Sequence, residues 1–291
     1  LDNLEKMTKF CEGYREKLSS YREVKPTPVG KKRTRIISIS DLHVPFHRED
    51  LIRDIIEEHS GADVLVLNGD LFDNYSLSSF SKSRDIPFAV EYSTVFEIVK
   101  LAARNFGKVI IVDGNHDSGR FSRELGKLDE GVKFLIKPSP LQYIANGRDF
   151  SPTGEDLGTI NLPNVTYAGE KGIGWYHQIG QAIFVHRLRG YKAGPMANAI
   201  DIANWFLRKG TEFQCLVSAH SHHVGMVPYY GRLIIDQGAL CLPLEYEKNG
   251  GCKLTPPDLG YAIVELDARG NVDPETTRPI FLGTYQEQNN G

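Results

Sequence analysis

Long apolar runs, paired cysteines and an excess of one charge are all missing from this 291-residue chain. Apolar stretches such as Val64–Leu67 and Val109–Val112 fall far short of the roughly 20 residues that a membrane-spanning helix needs. The four cysteines, Cys11, Cys215, Cys241 and Cys252, show no C-x-x-C spacing, and a chain of this length does not depend on a disulfide scaffold. Lys and Arg number 34 against 37 Asp and Glu, a formal charge of −3 that excludes coating of nucleic acid by bulk electrostatics and leaves room for a local basic patch. No basic n-region followed by an apolar h-region opens the sequence. These absences lead us to expect a reducing, cytoplasmic compartment and no membrane partner. Repeats and low-complexity tracts are absent too. What is present, 41% apolar and 10% aromatic residues, is enough for a full core and excludes a disordered chain.

Residues 1–23 place Leu4, Met7, Phe10, Tyr14, Leu18 and Tyr21 at helical spacing. This predicts an N-terminal helix, packed on the domain or serving as an oligomer contact. The Lys25–Gly30 segment then breaks it, so residues 1–30 read as helix and linker and residues 31–291 as one domain. Lys31–Arg35 is a short basic run, read as a solvated strand entrance. From there strands (Ile36–Ser40, Val64–Leu67, Val109–Val112) alternate with helices (Leu51–His59, Val90–Arg104), the order of an α/β core with parallel strands. Residues 146–158 form a turn-rich surface insertion. Strands at Ile183–Val185 and Cys215–Val217 flank a helix at Met196–Arg208. The C-terminal third adds strands at Val224–Tyr229, Leu233–Ile235, Tyr261–Leu266 and Pro279–Leu282. A Tyr230-Gly231 turn predicts a hairpin there, and hence mixed sheets, two of them packed together.

Five of the predicted strands run directly into polar clusters: Asp41-Leu42-His43, Gly69-Asp70-Leu71-Phe72-Asp73, Gly114-Asn115-His116-Asp117, His186, and His220-Ser221-His222-His223. The carboxyl ends of strands in α/β sheets form the ligand crevice, so distant segments can deliver these side chains to one place. Strand alternation lets Asp41 and His43, and likewise His220 and His222, point the same way. The collection offers too many donors for one tetrahedral zinc and enough for two five- or six-coordinate ions. Bringing Asp41 and Asp70 together without a cation incurs like-charge repulsion. Singly, each cluster has an ordinary structural explanation: Asp73 as a helix cap, Asn115 as a turn residue, His186 as a half-buried histidine. Their order and common placement after strands outweigh those readings. His47, His59 and His177 share no such placement, and His223 competes with His222.

The ordered set D-x-H, G-D-x-x-D, G-N-H-D, strand-end His and H-x-H resembles the motif set of the calcineurin-like metallophosphoesterases, over about residues 33–270. The resemblance implies a four-layer α/β/β/α sandwich of two mixed β-sheets flanked by helices, with a dinuclear centre at the strand ends. It implies that Asp41, His43 and His222 bind one divalent ion, that Asn115, His186 and His220 bind a second, and that Asp70 bridges them. His116 then faces the scissile phosphate, with Asp73 orienting it. Two ions about 4 Å apart acidify a water and clamp phosphate oxygens for in-line attack. Mn²⁺ heads the expected ions, with Fe, Zn²⁺, Co²⁺ and Ni²⁺ as alternatives for this mixed donor set. Arg120, Arg187, Arg189 and Lys192 are candidates for holding substrate phosphates, against ordinary solvation.

The sequence departs from that pattern in three places. Ala219 stands where the last motif usually has Gly, Asn74-Tyr75 follows Asp73 in place of the Arg-Gly of Ser/Thr protein phosphatases, and Asp117 follows His116 where those enzymes carry Glu. These differences tilt the reading toward the nuclease and phosphodiesterase branches, including phage-encoded enzymes. The expected function is hydrolysis of phosphodiesters, with DNA, RNA or nucleotides as substrate class. A phosphomonoesterase and a non-catalytic interaction module of the same fold are the alternatives.

Overall fold

The structure, a computed structural model, describes residues 32–284 except 79–84, 130–138, 172, 188–189, 191, 193 and 245–256. The expected N-terminal helix and linker therefore lie outside the described residues, as does Arg189. Strands β1 (Thr34–Ile39), β2 (Val64–Asn68) and β3 (Lys108–Val112) alternate with helices α1 (Glu49–Glu58) and α2 (Phe88–Asn105). After them come α3 (Phe121–Leu125), α4 (Pro140–Ala145), β4 (Arg148–Phe150), β5 (Asp156–Thr159), β6 (Val165–Tyr167), β7 (Tyr176–Ile179) and β8 (Ala182–Val185). The chain continues through α5 (Ala197–Arg208), β9 (Cys215–Ser218), β10 (Val224–Tyr229), β11 (Arg232–Gln237), β12 (Asp258–Leu266) and β13 (Arg278–Thr284).

Two mixed sheets result, one of six strands in the order β13-β12-β1-β2-β3-β6 and one of five in the order β10-β11-β9-β8-β7. β1, β2, β3 and β6 run parallel, while β12 pairs antiparallel with β1. Alternation along each strand explains the layering. Ile37 and Ile39 of β1, with Val109 and Ile111 of β3, pack under α1, α2 and α4. Their neighbours Ile36, Ile110 and Val112 turn inward against Phe184 and Val217 of the second sheet. On the far side Ile183, Val185 and Leu216 meet Ile202, Ala203 and Phe206 of α5. Both faces of the central strands are covered, so they read as unbroken apolar runs. This is a four-layer α/β/β/α sandwich.

The turn-rich insertion is a β4–β5 hairpin, held to α2 where Tyr92 donates its hydroxyl to the Arg148 carbonyl (2.8 Å). β10 and β11 form the expected hairpin, turning through Tyr230 and Gly231 with both φ positive (46° and 72°), the geometry that matches strand twist. Arg33 of the basic run pairs with Glu265 and Asp273 at 2.9 and 2.6 Å and is spoken for structurally. Among the described residues no helix is long and apolar enough to cross a membrane.

Toward the carboxyl ends of the strands the layer between the sheets turns polar. Ser38 donates to Gln237 Oε1 (2.7 Å), and Asn68 Nδ2 reaches the Val217 carbonyl (3.3 Å). Asp236, 1% exposed, lies in the same layer. Burial pushes its carboxyl up from 3.8 to about 7, with the Ser221 and Ser218 hydroxyls pulling only partway back. Its folded value exceeds its unfolded one, so its contribution to stability is complete below pH 3.8 and fades as pH rises through about 7. Replacing Asp236→Asn is expected to flatten that part of the profile: the stability difference between variant and wild type, from denaturant unfolding, grows between pH 4 and 7 in favour of the variant. Parallel profiles would contradict this assignment.

Candidate metal centre

The turns that follow β1, β2 and β9 do not continue the strands. Asp41, His43, Asp70, His220 and His222 all have positive φ, at 52°, 45°, 51°, 80° and 56°. Strand alternation is therefore not what makes Asp41 and His43, or His220 and His222, converge; each side chain is turned inward by a left-handed backbone. Such residues cost of order 1–3 kcal/mol each and persist only where the surroundings over-determine them. Here the surroundings are backbone bonds between the turns: Asp41 N donates to Gly69 O (3.0 Å), His43 N to Asp70 O (3.0 Å) and Val44 N to Leu71 O (2.9 Å). The third turn is locked by Asp117, whose carboxylate accepts from Phe72 N and Gly114 N, both at 2.9 Å. A side chain at Gly114 would collide with the Asp70 carboxylate and backbone, so only glycine lets these turns meet.

Each carboxylate at the centre has one oxygen tied and one presented. Asp41 Oδ2 accepts from Ser40 Oγ (2.7 Å) and His220 N (3.2 Å), leaving Oδ1 3.2 Å from both His186 Nε2 and His222 Nε2. Asp70 Oδ1 accepts from His116 N (2.7 Å), leaving Oδ2 3.4 Å from His186 Nε2 and 3.6 Å from His43 Nε2. The imidazoles follow the same rule. His43 Nδ1 faces Asp73 Oδ1 (3.3 Å), His186 Nδ1 donates to Arg187 O (3.1 Å) and His220 Nε2 donates to Gly190 O (3.2 Å). Anchoring one ring nitrogen as an N–H donor leaves the other as a lone pair aimed inward.

The result is a cluster of electron-pair donors facing one another. His43 Nε2 and His222 Nε2 lie 3.2 Å apart. One terminal atom of the Asn115 carboxamide lies 2.7 Å from His220 Nδ1 and 3.3 Å from both Asp70 Oδ2 and the Arg187 carbonyl. With the amide nitrogen turned there it donates to these groups; with the oxygen there it is one more inward donor, which only a cation would hold in place. The field agrees. Burial works against a charged His186, yet the Asp70 and Asp41 carboxylates overrule it and push the imidazole up to about 9. Burial opposes ionisation of Asp41 as well, and His222 and His186 still hold its carboxyl well below the usual range. Among the described residues four overlapping groups of donors lie close enough to hold an ion, and two of them, Asp41–His43–Asp70 and Asp70–His186–His220, lie on the two sides of the cluster. Asp70 is common to both. The residues present fit a pair of divalent ions.

His116 sits beside this cluster, its ring 4.5 Å from that of His43. Its Nδ1 faces Asp73 Oδ1 at 3.0 Å, so Asp73 orients His116 and His43 together. Burial would raise the Asp73 carboxyl, but these two imidazoles hold it far below its ordinary value. Arg120 is engaged in the same group: its guanidinium donates to Asp73 O (2.6 Å) and approaches His116 Nε2 (3.3 Å). Arg187 and Lys192 both pair with Asp201 of α5, at 2.9 and 2.6 Å. His223 turns away to Asp258 (3.4 Å), leaving His222 at the centre. His47, His59 and His177 take no part in the cluster.

Three contributors were not among the expected site residues. Asn74 donates through Nδ2 to His116 O (2.7 Å) and Asp117 O (3.2 Å), tying two of the turns together. Glu91 of α2, fully buried, accepts from Asn74 N (2.7 Å) and Tyr75 N (2.8 Å) and fixes that turn in place. Cys241 places its sulfur near His43 and His222. A mid-helix Glu, a loop Asn and an isolated Cys are common in any chain; only the fold distinguishes them.

Residues 34–224 match the profile of the calcineurin-like phosphoesterases. The chain is 30% identical over 134 residues to the fructose dehydrogenase cytochrome subunit of Gluconobacter japonicus, covering 42% of this chain and 26% of that protein. It thus spans about a quarter of the length of the curated relative it matches. Among solved structures, vacuolar protein sorting 29 from Cryptosporidium parvum is 14% identical, covering 87% of this chain and 100% of that one, with a TM-score of 0.43. A structure described as a novel archaeal phosphodiesterase is 15% identical, covering 86% and 100%, with a TM-score of 0.39.

Proposed function

Because the chain belongs to the calcineurin-like phosphoesterase family, we propose that it hydrolyses phosphodiesters, of nucleic acid or nucleotides, with two divalent ions. Asp41, His43 and His222 would hold one ion, Asn115, His186 and His220 the other, with Asp70 shared. The observation that carries this reading is the inward-facing set of lone pairs and carboxylate oxygens, with the outer atom anchored in Asp41, Asp70, His43, His186 and His220. When bound, the ions supply Lewis-acid charge for the phosphate and acidify a water. Mn²⁺ suits the oxygen- and nitrogen-rich donor set.

The chain's own residues do the rest. Asp73 keeps the His116 proton on Nδ1 and so fixes which ring nitrogen is turned toward substrate. Once the ring takes up a second proton at Nε2 from solvent, His116 would pass that proton to the leaving oxygen and return to its Nδ1–H form. Arg120, anchored through Asp73, sets positive charge beside that nitrogen and binds a phosphate oxygen. A diester carries one negative charge on its phosphate, which suits guanidiniums already shared with Asp73 and Asp201 better than a monoester dianion does. The nucleic-acid and nucleotide class follows the Asn115-His116-Asp117 form of the third motif, and Arg187 and Arg189 would meet the substrate from the turn after β8. A cytoplasmic location, from cysteine usage, belongs to the same reading.

Dialysis against a chelator is expected to abolish hydrolysis of bis(p-nitrophenyl) phosphate, and Mn²⁺ to restore it. A panel run with Mn²⁺ present, covering model mono- and diesters, cyclic nucleotides, and single- and double-stranded DNA and RNA, then tests the substrate class. A strong preference for monoesters would overturn the diester assignment.

A further inference from the structure

Two buried cysteines among the described residues have opposite surroundings. Cys215 lies between the sheets with Phe184, Val217 and Ile235, where burial pushes its thiol up to about 12. Cys241 is equally buried, yet it belongs to none of the three apolar clusters that make up the core. Its sulfur is grouped instead with ring nitrogens: Cys241 Sγ and one nitrogen each of His43 and His222 lie within 4.8 Å of one another.

This placement is enforced by the backbone. Cys241 forms an isolated antiparallel bridge with His47. On either side of it, Leu240 N donates to Asp41 O (3.3 Å), Arg48 N to Leu240 O (2.8 Å) and Leu242 N to Phe46 O (2.8 Å). The strap that carries the sulfur is therefore pinned to the same turn that carries Asp41 and His43. A cysteine that only filled space would sit among carbon atoms, as Cys215 does. A sulfur within 4.8 Å of a ring nitrogen of each of two imidazoles at the centre is placed as a donor.

We infer that Cys241 is a further ligand of the ion held by Asp41, His43 and His222. The inference rests on the reading of these residues as a metal centre. On coordination the thiol releases its proton to solvent and the thiolate lone pair faces the ion; no electron transfer is involved. A soft sulfur favours Zn²⁺, Co²⁺ or Fe²⁺ over Mn²⁺. The second half of the centre has only nitrogen and oxygen donors, from Asn115, His186, His220 and Asp70. The two halves then differ in ion preference, and a mixed pair, with a thiophilic ion on the Cys241 side, is the expected resting composition.

Reconstitution of the full chain with Co²⁺ under reducing conditions tests this. Cobalt at the centre gives visible ligand-field bands whatever its donors, and a near-ultraviolet sulfur-to-cobalt band only if a thiolate is bound. The wild type is expected to show both. Cys241→Ser is expected to lose the near-ultraviolet band and keep the visible ones. A chain carrying Cys11→Ser, Cys215→Ala and Cys252→Ser, with Cys241 its sole cysteine, is expected to keep both, and it decides the matter if Cys241→Ser does not fold. Visible bands without the near-ultraviolet band in the wild type would overturn the sulfur ligand and leave the metal centre standing. A near-ultraviolet band that survives Cys241→Ser, or is lost when Cys241 is the sole cysteine, would also overturn it. No bands of either kind at saturating Co²⁺ would overturn the metal centre and the sulfur ligand together.

Discussion

Replacing Asp70→Asn is expected to cost the chain its activity, and by more than the roughly 10–100-fold that losing an outer hydrogen-bond partner costs a metal site. Asp70 is common to both donor groups, and its Oδ2 faces His43 and His186. An asparagine oxygen can still accept from His116 N in place of Oδ1, so the turn keeps its shape while the shared charge is gone. Two readouts separate this from simple unfolding. Without added metal, the variant should still unfold cooperatively but melt below the wild type, because the pull of His186, His116 and His43 on the Asp70 charge outweighs burial and the repulsion from Asp41. Added Mn²⁺ should raise the melting temperature of the wild type, since a ligand that binds only the folded state stabilises it, and should leave the variant nearly unchanged. A variant that is stabilised by Mn²⁺ as strongly as the wild type would contradict the shared role of Asp70.

Replacing His116→Ala is expected to lower kcat by about 10²–10⁴-fold, the usual worth of a positioned acid or base, with little change in KM. Its main-chain N–H still holds Asp70 Oδ1, and Asp73 still anchors His43, so metal content should not fall. The loss should be steeper for a substrate with a poor leaving group than for a p-nitrophenyl ester, because the poor one depends more on a proton from Nε2. Arg120→Ala should weaken the same step through substrate binding, appearing chiefly in KM. A wild-type rate in His116→Ala would remove that residue from the chemistry.

Much of this architecture was readable in advance because the central strands of both sheets are covered on both faces. Ile36-Ile37 and Ile110-Ile111 send neighbours to opposite layers, so each buried strand announces itself as a continuous apolar run. The short edge strands were harder. Tyr176–Ile179 and Val165–Tyr167 carry mixed polar and apolar residues and pair on one side only. The gathering of the polar clusters was legible from their common place after strands. The reason they converge was not, because left-handed backbone at Asp41, His43, Asp70, His220 and His222 follows from bonds between turns distant in sequence. The same holds for the arginines: nothing near Arg187 in sequence reveals Asp201 as its partner, and nothing near Arg120 reveals its bond to the Asp73 carbonyl. Asp117 illustrates a further limit. Its place after His116 reads as a family signature, whereas in the fold its carboxylate closes the turn on Phe72 N and Gly114 N.

The central claim is that these turns hold two ions at once. Metal analysis of the purified chain, saturated with Mn²⁺ and freed of loosely bound metal by desalting, tests it most directly. Two ions per chain are expected in the wild type; a content of one or less would contradict it.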